Sequence, residues 1–271
     1  MTEVVFLKLG GSLITDKTRP YTALFDRLKI LAEGIRSAIS STPGLRLVLG
    51  HGSGSFGHYA VKEHLASTSS PLPMGNGHGG EGFAEVWYRA SQLNRYVIEA
   101  MHAAGLPCMA IQPSACIVSK NGVIEKWDIS PIESALNAGI VPVIYGDMAF
   151  DSAKGGAVLS TETLMFYLAH CLRPRRILLA GMEAAVWADF PARHQKVGKM
   201  TPSSYQALAH HVGGSHGVDV TGGMKSKVEE MLVLVEQIPD LTVQIFSGEE
   251  PGNVEHALNG AVLGTLIIRS E

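Results

Sequence analysis

Short apolar runs alternate with amphipathic stretches along this chain. Val4-Val5-Phe6-Leu7-Lys8-Leu9 is of strand length, apolar positions at helical spacing follow from about Tyr21 to Ser40, and Leu45-Arg46-Leu47-Val48-Leu49 is a second strand-length run. That order predicts a β-α-β beginning. Further strands are predicted at Pro107 to Ile111, Ile140 to Tyr145, Arg176 to Ala180, Leu241 to Phe246 and Thr265 to Arg269, most of them separated by segments of helical spacing. Each parallel crossover lays a helix across the sheet, so nearly continuous apolar strands alternating with helices predict an α/β fold. The expected architecture is a three-layer α/β/α sandwich with an open, mainly parallel sheet.

Gly, Pro, Ser, Thr and Asn crowd together between Ser67 and Gly82, predicting a long surface loop; further loops are predicted at Asp189 to Thr201 and around His211 to Asp219. No internal repeat or long linker interrupts the pattern, so residues 1–271 read as a single domain.

Composition narrows the function. Hydrophobic residues make up 46% of the 271 positions, and 22 Lys+Arg against 25 Asp+Glu give a net charge of −3. Such a balance points to a packed domain and away from nucleic acid as a partner. No run approaches the ~18 apolar residues of a membrane span. The three cysteines, Cys108, Cys116 and Cys171, lack CxxC spacing, which fits a reducing cytoplasm better than a disulfide framework or a zinc knuckle. Eleven histidines include no HExxH pair, so no protein-built metal site is expected.

The strongest chemical signal is glycine at the ends of strands. Backbone without side chains can bring N–H groups against phosphate oxygens, and a following helix N-terminus adds partial positive charge. It occurs at Lys8-Leu9-Gly10-Gly11-Ser12, at Gly50-His51-Gly52-Ser53-Gly54-Ser55-Phe56-Gly57-His58, and at Thr221-Gly222-Gly223-Met224-Lys225, each with a Lys or His close by. Converging loops with cations suggest a polyphosphate site. The Walker A pattern is absent. Gly52 to Gly57 matches GxGxxG, but a dinucleotide fold needs an acidic residue ending a strand about 20 residues later, where this chain has its Pro/Gly-rich loop.

Lys8 to Ser12, Thr15-Asp16-Lys17, Gly52 to His58, Gln112-Pro113-Ser114, Gly146-Asp147 and Asp219-Val220-Thr221-Gly222-Gly223-Met224-Lys225 together resemble the amino acid kinase superfamily, most closely the isopentenyl phosphate kinases. Their order covers nearly the whole chain, and the Gly57-His58 ending is the narrowest element. The resemblance implies ATP as phosphoryl donor with Mg2+, a small phosphate-bearing acceptor, a homodimer, and a cytoplasmic enzyme of isoprenoid biosynthesis. It implies an acceptor site in the N-terminal half and a nucleotide site in the C-terminal half.

The same resemblance implies residue roles. Lys8 and Lys17 would contact the transferred phosphoryl group, Lys225 the β- and γ-phosphates, and His58 the acceptor phosphate, with Asp147 orienting the lysines. Gly52, Gly57 and Gly146 would face the acceptor, while Gly10, Gly11, Ser12, Ser53, Asp219 and Gly222 would lie on the nucleotide side. Phe83, Val86 and Trp87, with Gly82 before them, are expected to wall an apolar pocket for the acceptor's tail. Lys227 and Lys17 have the sequence context of surface charges, and His51 is ambiguous.

Two segments depart from the family pattern. Ser160-Thr161-Glu162 stands where relatives have Ser-Gly-Asp, and Ala180-Gly181-Met182-Glu183-Ala184-Ala185-Val186 stands where they carry Thr-Asp-Val-Asp-Gly-Val. The second loses two aspartates and predicts relaxed nucleotide choice. Two rival readings are another small-molecule kinase on the same fold, such as one acting on fosfomycin, and a non-catalytic nucleotide-binding regulator.

Overall fold

The computed structural model describes residues 3–64, 79–208 and 223–270. In chain order the first half contains β1 (Val4–Leu9), α1 (Gly11–Ile14), α2 (Phe25–Ser41), β2 (Arg46–His51), α3 (Gly54–His64), α4 (Gly79–Ala103), β3 (Cys108–Ala110), α5 (Pro113–Cys116), β4 (Ile117–Lys120) and β5 (Val123–Trp127). Then come α6 (Ser130–Asn137), β6 (Val141–Tyr145), β7 (Asp147–Asp151), β8 (Gly155–Leu159), α7 (Thr161–Leu172) and β9 (Arg176–Gly181). The chain continues through β10 (Val186–Trp187), β11 (Lys196–Val197), β12 (Lys199–Met200), α8 (Pro202–Leu208), α9 (Gly223–Gln237), β13 (Thr242–Ser247), α10 (Asn253–Leu258) and β14 (Thr265–Ile267).

Among the described residues the main sheet runs β12-β14-β13-β9-β1-β2-β6-β3. Its pairs are parallel except β13 with β14. The central strand β1 is apolar on both faces: Phe6 packs on one side with Val228, Met231 and Leu164, while Val5, Leu7 and Leu9 pack on the other with Leu28, Leu31 and Val254. Helices α7 and α9 thus cover one face and α2 and α10 the other, as two-sided burial of a parallel sheet requires. Side chains alternate along a strand, so Lys8 shares the face of Phe6 and emerges only because it lies near the strand's C-terminal end.

The predicted strands appear within two residues of their expected limits. Helix α2 starts at Phe25, not Tyr21, because the preceding backbone is already engaged: Asp16 N donates to Thr22 O at 2.9 Å and Leu24 N to Ile14 O at 2.9 Å. The loop predicted to end at Gly82 ends earlier, since α4 already includes Gly79 to Gly82; the rest of that loop and the His211 to Asp219 loop lie outside the described residues. The Asp189 to Thr201 loop contains β11 and β12.

A second sheet, β5-β4-β7-β8, was not expected. Its signals are local and weak, but one is specific: Asn121-Gly122 joins β4 to β5 with both residues at positive φ, 53° and 81°, the hairpin turn that Asn-Gly favours. Asp151 pins this sheet. Its carboxylate accepts from Ser119 Oγ at 2.8 Å, Gly122 N at 2.8 Å, Asn121 N at 3.0 Å, Lys154 N at 2.9 Å and Ala153 N at 3.0 Å, which overcome the cost of burial and hold its carboxyl well below the usual carboxylate range. Strand β7 of this sheet follows β6 after Gly146 alone, and so fixes Asp147 at the sheet's C-terminal edge. Among the described residues no helix is long and apolar enough to cross a membrane.

Candidate active site

The C-terminal ends of β1, β2, β6 and β9 meet around a cleft of about 590 Å³. Two glycine loops form its floor by direct backbone contact. Gly10 N donates to Ala180 O at 2.8 Å and Gly52 N to Leu9 O at 2.9 Å. A Cβ on Gly11 would overlap the Gly54 backbone, and one on Gly52 would come within 2.8 Å of Gly11 N. Gly54 has φ +50°, and a Cβ there would overlap the Thr15 hydroxyl, so larger residues cannot replace it without separating the loops. Thr15 joins them: its hydroxyl donates to Gly11 O at 2.7 Å and accepts from Ser55 N at 2.9 Å.

Lys8 is 6% exposed and lines this cleft. Its Nζ lies 2.8 Å from Glu162 Oε1, and Lys227 Nζ lies 3.9 Å from the same oxygen. Helix capping aims Glu162: Ser160 Oγ accepts from Thr163 N at 3.0 Å, which starts α7, and Thr161 Oγ1 ties that turn to His51 O at 2.7 Å. Burial opposes ionisation of Glu162, but the charges of Lys8 and Lys227 and the Lys8 hydrogen bond outweigh it and hold its carboxyl below the usual value.

Asp147 lines the same cleft and is 1% exposed. Its Oδ2 accepts from Ser114 N at 3.3 Å, while Oδ1 has no hydrogen-bond partner among the described residues. Burial pushes its carboxyl up to about 6 against those hydrogen bonds. His51 is a buried structural residue. It stacks on Tyr145 at 5.5 Å, and burial lowers its imidazole to about 4, so it is neutral at pH 7. Nδ1 at 3.1 Å from Gly52 O must then carry the proton, and Asn94 must turn its amide nitrogen toward Nε2, 3.1 Å from the position assigned as oxygen.

Lys17, His58, Gly10, Gly11, Ser12, Gly52, Ser53, Gly57 and Gly146 all line the cleft, as does Val86. Gly82, Phe83 and Trp87 do not. Phe83 stacks on Phe150 at 4.8 Å in a small core with Ala60, Val86 and Met148, and Trp87 packs against that core. Two turns of α4 carry both sets, and Val86 and Ala90 are the positions that line the cleft. Lys225 is exposed and outside the cleft lining, whereas Lys227 lines it. Two residues of helix are about 200° of rotation, so only one of these lysines can face inward. Asp219 and Gly222 lie outside the described residues.

Sequence reasoning gave no role to Glu162, Trp187 or Phe190 in this cleft. Trp187 and Phe190 line its other end beside Met182 and Glu183. Glu183 is engaged with Trp187 Nε1 at 2.9 Å and Arg193 Nη2 at 2.6 Å, bracing the departing segment. The cis bond Phe190-Pro191 lies in the same loop.

A buried lysine, two interlocked glycine loops and a histidine around one cleft at the strand ends define a phosphoryl-transfer class of site on an α/β fold. The sequence model of the Amino acid kinase family matches residues 3–247. The chain is 30% identical over 99% of its length to all of an isopentenyl phosphate kinase of Methanocaldococcus jannaschii. It is 34% identical over 97% of its length to 98% of one from Methanothermobacter thermautotrophicus. A crystal structure of an isopentenyl phosphate kinase superposes with TM-score 0.80 and 32% identity, covering 97% of this chain and 100% of the other. The chain belongs to the amino acid kinase family and, within it, to the isopentenyl phosphate kinases.

Proposed function

We propose that this protein transfers the γ-phosphoryl group of ATP to isopentenyl phosphate, yielding isopentenyl diphosphate and ADP. The observation that carries the reading is Lys8, buried and ion-paired beneath the glycine loops in the cleft that His58 also lines, in a chain of this family.

The nucleophile is a phosphate oxygen, already deprotonated at neutral pH, so the site needs cations and alignment more than a general base. In this reading Lys8, Lys17 and Lys227 neutralise charge on the transferred group and its bridging oxygen. Glu162 fixes Lys8 and Lys227 relative to one another. His58 donates to the acceptor phosphate, and backbone N–H groups of Gly52 and Gly57 help to hold it. Asp147 orients the lysines from the turn after β6.

The acceptor occupies the side built by the N-terminal half, where Val61, Val86 and Ala90 line the cleft. Burying its five carbons is worth at most about 4 kcal/mol at ~0.8 kcal/mol each, so a small apolar wall is sufficient. The nucleotide occupies the side built by the C-terminal half, with Ser12 and Ser53 near the phosphates. Trp187 and Phe190 offer an aromatic surface on which any purine can stack, consistent with relaxed base choice.

Mg2+ would be held through the nucleotide phosphates with few protein ligands, the binding mode usual for this ion with nucleotides. When bound it supplies charge neutralisation at the β- and γ-oxygens. We further place the enzyme in the cytoplasm, where its free Cys108, Cys116 and Cys171 would stay reduced, as one continuous catalytic unit that pairs as a homodimer. Light scattering tests the dimer.

A coupled assay of ADP release over a panel of phosphate, phosphonate and carboxylate acceptors tests the reading. Isopentenyl phosphate should be the preferred acceptor. Equal turnover with fosfomycin would move the assignment to another kinase on this fold, and no turnover with any acceptor would favour a regulator.

A further inference from the structure

Beneath the lysine cluster lies a carboxyl group with no part in the reaction described above. Glu230 lies three residues after Lys227 on α9, hence on the same helix face, and its Oε2 is buried without a hydrogen-bond partner among the described residues. Helix α9 packs on α7, which carries Glu162. The charged groups acting on Glu230 are Glu162 from α7, Lys8 from β1 and Lys227 from its own helix. Its neighbour Glu229 turns the other way, to Tyr205 of α8 at 3.0 Å.

Two carboxyls and two ammonium groups thus act on one another where β1, α7 and α9 meet, Lys8 and Glu162 buried and Lys227 and Glu230 half-buried. With Glu230 ionised the cluster is neutral; with Glu230 protonated it carries one positive charge and attracts polyphosphate more strongly. We propose that Glu230 is a positioning residue that competes with the nucleotide phosphates for Lys8 and Lys227 and takes up a proton from solvent when those phosphates bind. Burial and the nearby Glu162 anion raise its carboxyl to about 7 against the pull of the two lysines, which puts this exchange in the neutral range. An arriving anion raises the group further, so proton uptake is greatest when the nucleotide binds at or just above neutral pH. Asp147, also raised, lines the cleft and adds its own linkage, which is why the difference made by Glu230 itself must be measured.

This inference rests on the kinase reading, and calorimetry separates the two. ATP with excess Mg2+ is titrated into the full-length protein and into Glu230→Gln, in buffers of different ionisation enthalpy, at pH 6 and pH 8. The wild-type protein should take up a measurable fraction of a proton and bind ATP ~5-fold more weakly at pH 8 than at pH 6. Glu230→Gln should at least halve the uptake and bind with less than half of that pH dependence, while Lys8→Ala in either background lowers kcat. Wild-type ATP affinity independent of pH would overturn the proposal. So would unchanged proton uptake in Glu230→Gln. Failure of ATP to bind at either pH would instead overturn the kinase reading.

Discussion

Lys8 Nζ lies 2.8 Å from Glu162 Oε1, and both side chains are less than one-tenth exposed. An ion pair so deep gains little net stability from its charges, because desolvation offsets much of the attraction, and is better explained as a device that fixes an ammonium group in place. Lys8→Ala should lower kcat by ~10^2 or more with a smaller change in the KM for ATP, since an interaction realised mainly in the transition state is lost. Glu162→Gln keeps the shape but releases the charge, and should lower kcat by ~10-fold. Because the two act together, steady-state kinetics of the double variant should show little loss beyond Lys8→Ala alone; additive losses would mean that Glu162 acts independently of Lys8.

Asp147 makes a prediction about stability. A carboxyl raised in the folded protein binds its proton more tightly there than in the unfolded chain, so its contribution is fully present below the unfolded value near 3.8 and is lost as pH rises through about 6. At pH 8 the buried anion therefore destabilises the fold. Asp147→Asn should stabilise the protein at pH 8 by about 1–3 kcal/mol, the larger figure corresponding to a shift of about two pKa units, and have almost no effect at pH 3.5. Urea unfolding at the two pH values measures this. The same variant should lose most of its activity.

The lysines after the third glycine pair show what the sequence displays and what only helical phase adds. Gly222-Gly223 marks a helix start at a strand-end cleft, and that much is visible in the letters. Which lysine turns inward depends on helical phase: Lys227 shares a face with buried Met231 and Leu234, four and seven residues on, whereas Lys225 is exposed. Lys227→Ala should therefore lower kcat/KM for ATP by ~10^2, and Lys225→Ala by less than ~3-fold. Kinetics at saturating acceptor decide it.

The main sheet was legible because its strands are apolar on both faces, a pattern that leaves few alternatives. The second sheet was not. Val118, Val123, Phe150 and Val158 are exposed, so its strands lack a clear inward face, and only the Asn121-Gly122 turn announces the hairpin. The glycine loops and Lys8 were likewise visible as strand-end features, and the fold brings them to one cleft. Glu162 stood out as a departure from the family pattern, but its pairing with Lys8 was hidden because the two lie 154 positions apart. Phe83 and Trp87 follow the usual rule that aromatic residues on an amphipathic helix serve the core, leaving the smaller Val86 and Ala90 at the cleft.

His58, at the second glycine loop, should select the acceptor by its phosphate. His58→Ala should reduce kcat/KM for isopentenyl phosphate by ~10^2, or about 2.7 kcal/mol, with ATP binding by calorimetry little changed. Asparagine or glutamine, which donate a hydrogen bond without charge, should retain more activity than alanine. Equal losses in all three would assign the effect to imidazole's charge or shape, and full activity in His58→Ala would remove it from acceptor recognition.

Phosphorus NMR of a reaction containing ATP, Mg2+ and isopentenyl phosphate follows the phosphoryl group from donor to acceptor. The monophosphate resonance of isopentenyl phosphate should be replaced by the coupled pair of a diphosphate, in equal amount to the ADP formed, and Lys8→Ala should slow the conversion ~10^2-fold or more. ATP consumed to inorganic phosphate with the isopentenyl phosphate resonance unchanged would contradict that transfer.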